Sequence, residues 1–193
     1  MGKNMKKSIK AKKLEKAENQ KVTVKTNKTE NKLKIGIVTA QFNSEITERL
    51  EEGARSTLLA AGVQITAVQV PGAIEIPLAC QALLLDGDCD GVVALGAVIR
   101  GETSHYDYVC NSVERGITQL MLATRRPIGF GVLTTENEEQ AFARVGGAHG
   151  HKGIETAQVV LKMLDLLQEI KMLGTKKTKT TKNTKRPSST RTK

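Results

Sequence analysis

Tryptophan is absent from the 193 residues, and the aromatics are confined to Phe42, Tyr106, Tyr108, Phe130 and Phe142. That is too few for the stacked platforms on which sheet-based readers hold single-stranded nucleic acid. The three cysteines, Cys80, Cys89 and Cys110, form no CxxC pair, so neither a disulfide framework nor a thiolate zinc site is suggested, and a reducing cytoplasm fits best. No apolar run reaches the roughly 18 residues that cross a bilayer. The Lys-rich start lacks the apolar stretch of a secretory signal, and Lys6 stands where a myristoylation signal wants Ser or Thr. Neither anchorage nor export is expected. The chain also lacks a Walker lysine and a GxGxxG run, so the standard mononucleotide sites are unsupported.

Charge of one sign is likewise missing from part of the chain. Thirty Lys and Arg against twenty Asp and Glu give a formal +10, which suggests a nucleic-acid binder at first sight. Residues 1–32, however, hold eleven lysines against Glu15, Glu18 and Glu30, and residues 174–193 hold eight basic residues and no acid, so each end is +8. Residues 33–173 keep 11 basic and 17 acidic residues, a net of −6. Lys-, Thr- and Asn-rich segments bury too little apolar surface to offset chain entropy. Three regions follow: a basic, disordered N-terminal extension over 1–32, with at most a transient helix over 6–20; a folded domain over 33–173; and a basic, disordered tail over 174–193. Such tails either keep a particle soluble or bind polyanions, nucleic acid included, through counterion release.

Within 33–173, β-branched apolar runs at 33–40, 64–70, 91–98 and 127–134 alternate with helical patterns. That alternation is the signature of a parallel sheet covered on both faces. Ile46, Leu50, Ala54, Leu58 and Ala61 share one stripe of a helix over 44–61 that Gly62 stops. Further helices are predicted over 74–85, with Pro77 tolerable only in the first turn, over 105–124, near 138–144 and over 152–172. The order β-α-β-α-β-α-β-α-α predicts a three-layer α/β/α fold with a four-stranded parallel sheet. Ligands bind beyond the carboxyl ends of such strands, which singles out residues 41–44, 71–75, 97–105 and 134–137.

Those segments hold most of the unusual residues. Between Gly96 and Tyr108 a strand passes into a helix through Arg100, Gly101, Glu102, Thr103, Ser104 and His105. The helix N-terminus and the Thr103 hydroxyl could receive a phosphate, or Thr103 or Ser104 could simply cap the helix. His105 carries an imidazole, the side-chain type that moves protons near neutrality without a metal, against the plainer reading of a polar helix-start residue. Glu75, among apolar neighbours, either accepts hydrogen bonds from a polyol or amine or favours its helix start through the dipole. Phe42 could stack on a planar ring or close over the core. Arg144 could clamp an anion or compensate a helix end. Cys110 reads as a buried small hydrophobe. His149 and His151 flank Gly150 without a third ligand at a useful spacing, so they read as loop residues, and no metal is expected.

Read together, these pieces are far more specific than any one alone. Ile35-Gly36-Ile37-Val38 with Phe42-Asn43, Pro71-Gly72-Ala73-Ile74-Glu75-Ile76-Pro77, residues 96–109, Phe130-Gly131-Val132-Leu133-Thr134-Thr135-Glu136-Asn137 and Lys152-Gly153 resemble, in order over residues 33–170, the lumazine synthase family. The resemblance implies a flavodoxin-like fold assembling into pentamers. The implied activity belongs to riboflavin biosynthesis: 5-amino-6-(D-ribitylamino)uracil condenses with 3,4-dihydroxy-2-butanone 4-phosphate, releasing phosphate and water, to give 6,7-dimethyl-8-ribityllumazine. A neighbouring alternative is the archaeal-type riboflavin synthase, which shares the sheet architecture but dismutates two lumazines.

By that resemblance Phe42 stacks on the pyrimidine, while Ala73, Ile74, Glu75, Ala97, Val98 and Ile99 hold the ring and ribityl chain. Glu102 and Thr103 line the phosphate pocket, Arg144 clamps the phosphate, Lys152 assists, and His105 donates and accepts protons. Phe130, which periodicity alone buries in the core, covers the pyrimidine in a neighbouring subunit's site, and Arg144 and Lys152 reach across with it. No cofactor is implied. Family members occur as pentamers or as shells of twelve pentamers, and the uninterrupted stretch from Arg144 to Lys152 leans towards the shell. Ile74 and His151, where other residues are usual, are departures from the family pattern.

Overall fold

The computed structural model describes residues 32–180, with side chains as far as Gly174. The expectations for 1–31 and 181–193 lie outside the described residues. In chain order the elements are β1 (Lys34–Ala40), α1 (Ser44–Ala60), β2 (Gln64–Val70), a 3-10 turn (Ala73–Glu75), α2 (Ile76–Leu85), β3 (Gly91–Ile99), α3 (His105–Thr124), β4 (Ile128–Thr135), α4 (Glu138–Phe142), β5 (Val145–Gly147), β6 (Gly150–His151) and α5 (Lys152–Thr180). The first four strands form one parallel sheet in the order β2-β1-β3-β4.

The alternation of side chains along a strand sorts the apolar residues into two cores. Ile35 and Ile37 of β1 and Val93 and Leu95 of β3 pack with Leu50 and Leu58 of α1 and Val160 and Leu161 of α5. Their sequence neighbours Val38, Val92 and Ala94 face the other way, onto Ile76, Cys80 and Leu84 of α2 and Val113 and Ile117 of α3. The sheet therefore lies between two helical layers, as the sequence order predicts. Burial pushes the Cys80 thiol up to about 12, so it is an inert packing group. Cys110 departs from its expected burial: it is only partly buried.

Pro77 sits in the first turn of α2, the one place where its missing N–H costs nothing, and the preceding residues take a 3-10 turn rather than helix. The last helix outruns its expected end and continues through residues 174–180, a stretch expected to belong to the disordered tail. The antiparallel β5–β6 hairpin has no counterpart in the sequence reading. It matters because Arg144 precedes it and Lys152 follows it, joined by a Lys152 N–H to Arg144 carbonyl bond of 2.8 Å.

Two glycines let this hairpin and the start of α5 lie directly on α1. A Cβ on Gly153 would stand 2.0 Å from the Leu50 carbonyl oxygen, and one on Gly53 would stand 2.3 Å from the His151 ring. The chain thus approaches α1 at backbone contact distance just where the two cationic residues are mounted.

Candidate active site

Chain order reverses between β1 and β3: β1 is followed by its outer neighbour β2 before the chain crosses to β3. A crevice forms at such a switch point beyond the strand ends. Here it is a cavity of about 350 Å³ lined by Phe42, Ala73, Ile74, Glu75, Thr103 and His105, with Ala97, Val98 and Ile99 as its floor. Residues from three of the four strand-end segments therefore meet in one place, and residues 134–137 do not line it.

Each segment has a local reason for its position. Asn43 adopts the left-handed conformation, φ 59°, which Asn tolerates better than most residues. Its side-chain amide donates to the Ala97 carbonyl at 2.8 Å, tying the β1–α1 turn to the end of β3. Phe42 is thereby held out over the crevice, 71 % exposed. After β2, one Glu75 carboxylate oxygen accepts from the Gly72 N–H at 3.0 Å. That bond closes the short turn on itself, and Glu75 also lines the cavity.

At the β3–α3 junction Thr103 Oγ1 accepts from the His105 N–H at 3.3 Å, whereas Ser104 makes no side-chain cap. Of the two capping readings, Thr103 therefore performs the local role while still lining the cavity. His105 opens α3 as an exposed residue. Tyr106 and Val109, one helical turn apart, line the same wall. Sequence reasoning did not assign Asn43, Tyr106 or Val109 to the site. The signals were a motif Asn next to Phe42 and an i, i+3 pair beside His105.

Four expected site residues stand apart from this cavity. Glu102 is exposed on the loop but does not line it. Phe130 shares a face of β4 with the buried Ile128 and Val132, yet it is 43 % exposed, which corrects the core position that periodicity predicts. Its strand is the sheet edge. Arg144 donates through Nη1 to the Gln140 carbonyl at 2.6 Å, and Lys152 Nζ lies 2.6 Å from a Glu155 carboxylate oxygen. Among the described residues, no Lys or Arg lines the cavity. No group of three His, Cys, Asp or Glu is placed to hold a metal ion, and no helix is long and apolar enough to cross a membrane, again among the described residues.

The profile of the family described as 6,7-dimethyl-8-ribityllumazine synthase matches residues 32–168. The chain belongs to that family. The synthase of Bdellovibrio bacteriovorus is 68 % identical over 140 residues, covering 72 % of this chain and 78 % of the relative. Those of Pediococcus pentosaceus and Coxiella burnetii are 50 % and 48 % identical, covering 72 % and 75 % of this chain and 92 % and 97 % of the relatives. The family is a transferase of riboflavin biosynthesis, and its reaction is the condensation of the ribitylaminouracil with the butanone phosphate. The dismutating alternative has no support in these relatives.

Proposed function

We propose that the cavity is one half of a lumazine synthase active site and that a second copy of the chain supplies the other half. The observation that carries this reading is chemical. One substrate brings a phosphate dianion, yet the cavity is lined by a histidine, an amide, two hydroxyls, a carboxylate and apolar groups, without a lysine or arginine. Arg144 and Lys152 flank one hairpin elsewhere on the surface, and Phe130 lies exposed on the edge strand. Brought against the cavity of an adjacent copy, these three would complete it.

In this reading Phe42 stacks on the pyrimidine, with the partner's Phe130 over its other part. The turn of Ala73, Ile74 and Glu75 and the strand end of Ala97, Val98 and Ile99 hold the ring and ribityl chain. Glu102 and Thr103 border the phosphate pocket, Arg144 neutralises the phosphate and Lys152 adds charge. An amine of the uracil attacks the ketone to give a carbinolamine and then an imine. Phosphate departs by elimination, and the second amine closes the ring with loss of water. Each step moves a proton, and His105, an imidazole within the cavity, relays it. A cation on the phosphate serves both binding and departure, and holding two reactants together supplies much of the remaining acceleration.

The surface supports assembly. Leu78, Tyr108 and Leu122 on α2 and α3 are each about 71 % exposed or more, and Pro77, Leu78, Gly116 and Leu120 line a groove between those helices. Large exposed apolar side chains on the two helices that form a groove favour an interaction face there. We assign it to a pentamer and, because the stretch from Arg144 to Lys152 carries no insertion, to shells of twelve pentamers in the cytoplasm. The +8 at each end of the chain would then be repeated in every subunit, giving a surface that holds polyanions by avidity. One light-scattering experiment on full-length protein addresses both points. From 20.9 kDa per chain, a pentamer weighs about 100 kDa and a sixty-chain shell about 1.25 MDa. The expected mass is the larger, with added single-stranded RNA co-eluting at low salt and released at high salt. A monomer rejects the shared site, and RNA retention indifferent to salt rejects the electrostatic role of the ends.

A further inference from the structure

We infer that Arg100 is a positioning residue that clamps the β3–α3 loop and so sets the phosphate end of the site. Arg100 is the first residue after β3, anchored by its own N–H to the Thr135 carbonyl at 2.9 Å. Its guanidinium reaches forward over the loop. Nη2 and Nη1 lie 3.0 and 3.3 Å from the two carboxylate oxygens of Asp107, in the first turn of α3. Nε lies 2.8 Å from a Glu136 carboxylate oxygen just beyond β4. The same group sits 4.0 Å above the centre of the Tyr106 ring. One planar cation thus joins three elements and stacks on a residue of the cavity wall.

The loop it spans, residues 101–104, has little else to fix it. A Cβ on Gly101 would meet nothing within 4 Å, and the internal ties are the 3.3 Å bond from the His105 N–H to Thr103 and a 3.0 Å bond from the Asp107 N–H to the Ser104 carbonyl. Thr103 and His105 both depend on where this loop lies. Arg100 does not serve as the phosphate cation itself: two carboxylates already neutralise it, and it does not line the cavity. Exposed ion pairs add little to global stability. A bidentate fork with a stacked ring does fix direction, however, and lysine cannot reproduce it. Small displacements of reacting groups cost large factors in rate. The geometry therefore points to orientation rather than fold stability as the role of Arg100.

This inference rests on the proposed placement of the phosphate near Thr103, and its test separates the two. Full-length Arg100→Lys, Asp107→Asn and Thr103→Val proteins are assayed with each substrate varied in turn, alongside melting temperature and assembly mass. Arg100→Lys and Asp107→Asn are expected to raise KM for the butanone phosphate about tenfold and lower kcat about fivefold, with KM for the uracil changing less than about twofold. Melting and mass should stay at wild-type values. Lengthening the acid in Arg100→Lys/Asp107→Glu should recover part of the loss by restoring reach. Wild-type kinetics for Arg100→Lys beside an impaired Thr103→Val overturns the clamp alone. A Thr103→Val enzyme with unchanged KM for the phosphate substrate overturns the placement of the phosphate and the clamp with it. Activity lost only in step with melting temperature shows a structural role and overturns the inference as well.

Discussion

Replacing Arg144 with alanine is expected to lower kcat/KM for the butanone phosphate by about 100- to 1,000-fold, roughly 3–4 kcal/mol of transition-state stabilisation. The size follows from the electrostatics of the cavity, which offers the phosphate dianion no lysine or arginine of its own. In the proposed reaction the phosphate is first bound and then expelled, so a cation on it acts before and during the elimination. Both KM and kcat should therefore suffer. Arg144→Lys should recover only part of the loss, because an ammonium gives a point charge where the guanidinium gives a planar fork. The fold should be indifferent: Arg144 is partly exposed, and its bond to the Gln140 carbonyl lies at the end of the five-residue helix α4. Steady-state kinetics with the uracil held saturating, together with a melting curve, checks each part.

Gly153→Ala is expected to be the most damaging single methyl group in the chain. Its Cβ would lie 2.0 Å from the Leu50 carbonyl oxygen and 2.8 Å from the carbonyl carbon, both backbone atoms of α1. A backbone cannot rotate out of the way as a side chain can, so α5 would have to retreat from α1 across the main core. Overpacking of this severity should cost about 3 kcal/mol or more and lower the melting temperature by about 10 °C. Gly53→Ala provides the contrast. The nearest atoms to its methyl would be side-chain atoms of the His151 imidazole rather than backbone, and a side chain can move aside, so a milder loss is expected. Urea unfolding of both variants measures the difference. Equal stability of Gly153→Ala and wild type would mean that α1 and α5 are not in backbone contact. Because Lys152 directly precedes the glycine, activity should fall with stability here, in contrast to Arg144→Ala.

The sheet was legible because buried parallel strands are written as continuous β-branched runs. β2 and α3 begin and end where pattern and punctuation put them, β1 and β3 differ by one residue at an end, and β4 is shifted by one residue at both ends. The β5–β6 hairpin was not legible. Its strands are two and three residues long and rich in glycine, so there is no alternation to detect, and two of its glycines take positive φ. The overrun of α5 has a similar cause: the Lys- and Thr-containing sequence after Gly174 has no proline before Pro187 to stop a helix.

The cavity was legible in outline from the rule that ligands lie beyond strand ends: segments 41–44, 71–75 and 97–105 contribute to it, and 134–137 does not. Phe130 was not. Periodicity places it on a core-facing side, and only its position on an edge strand leaves it exposed. Arg144 stood open between anion clamp and helix-end compensation, Lys152 carried no local sign of function, and neither lines the cavity of its own chain. A site completed by another copy leaves half of its logic outside any single-chain pattern. Asn43 was underread for a different reason: its contribution is a bond to the Ala97 carbonyl, 54 residues away in sequence.

Mixed assemblies of two crippled variants measure directly whether one site draws on two chains. Full-length His105→Ala and Arg144→Ala chains, carrying different affinity tags, are co-expressed, and assemblies retaining both tags are assayed for lumazine formation. If the cavity and the cationic hairpin of one site come from neighbouring subunits of a ring, random mixing leaves about one site in four with His105 from one chain and Arg144 from the next. Turnover near a quarter of the wild-type value, well above either variant alone, is the predicted result. If each chain carried a whole site, every site would lack one residue or the other, and turnover no higher than that of the separate variants would contradict the account.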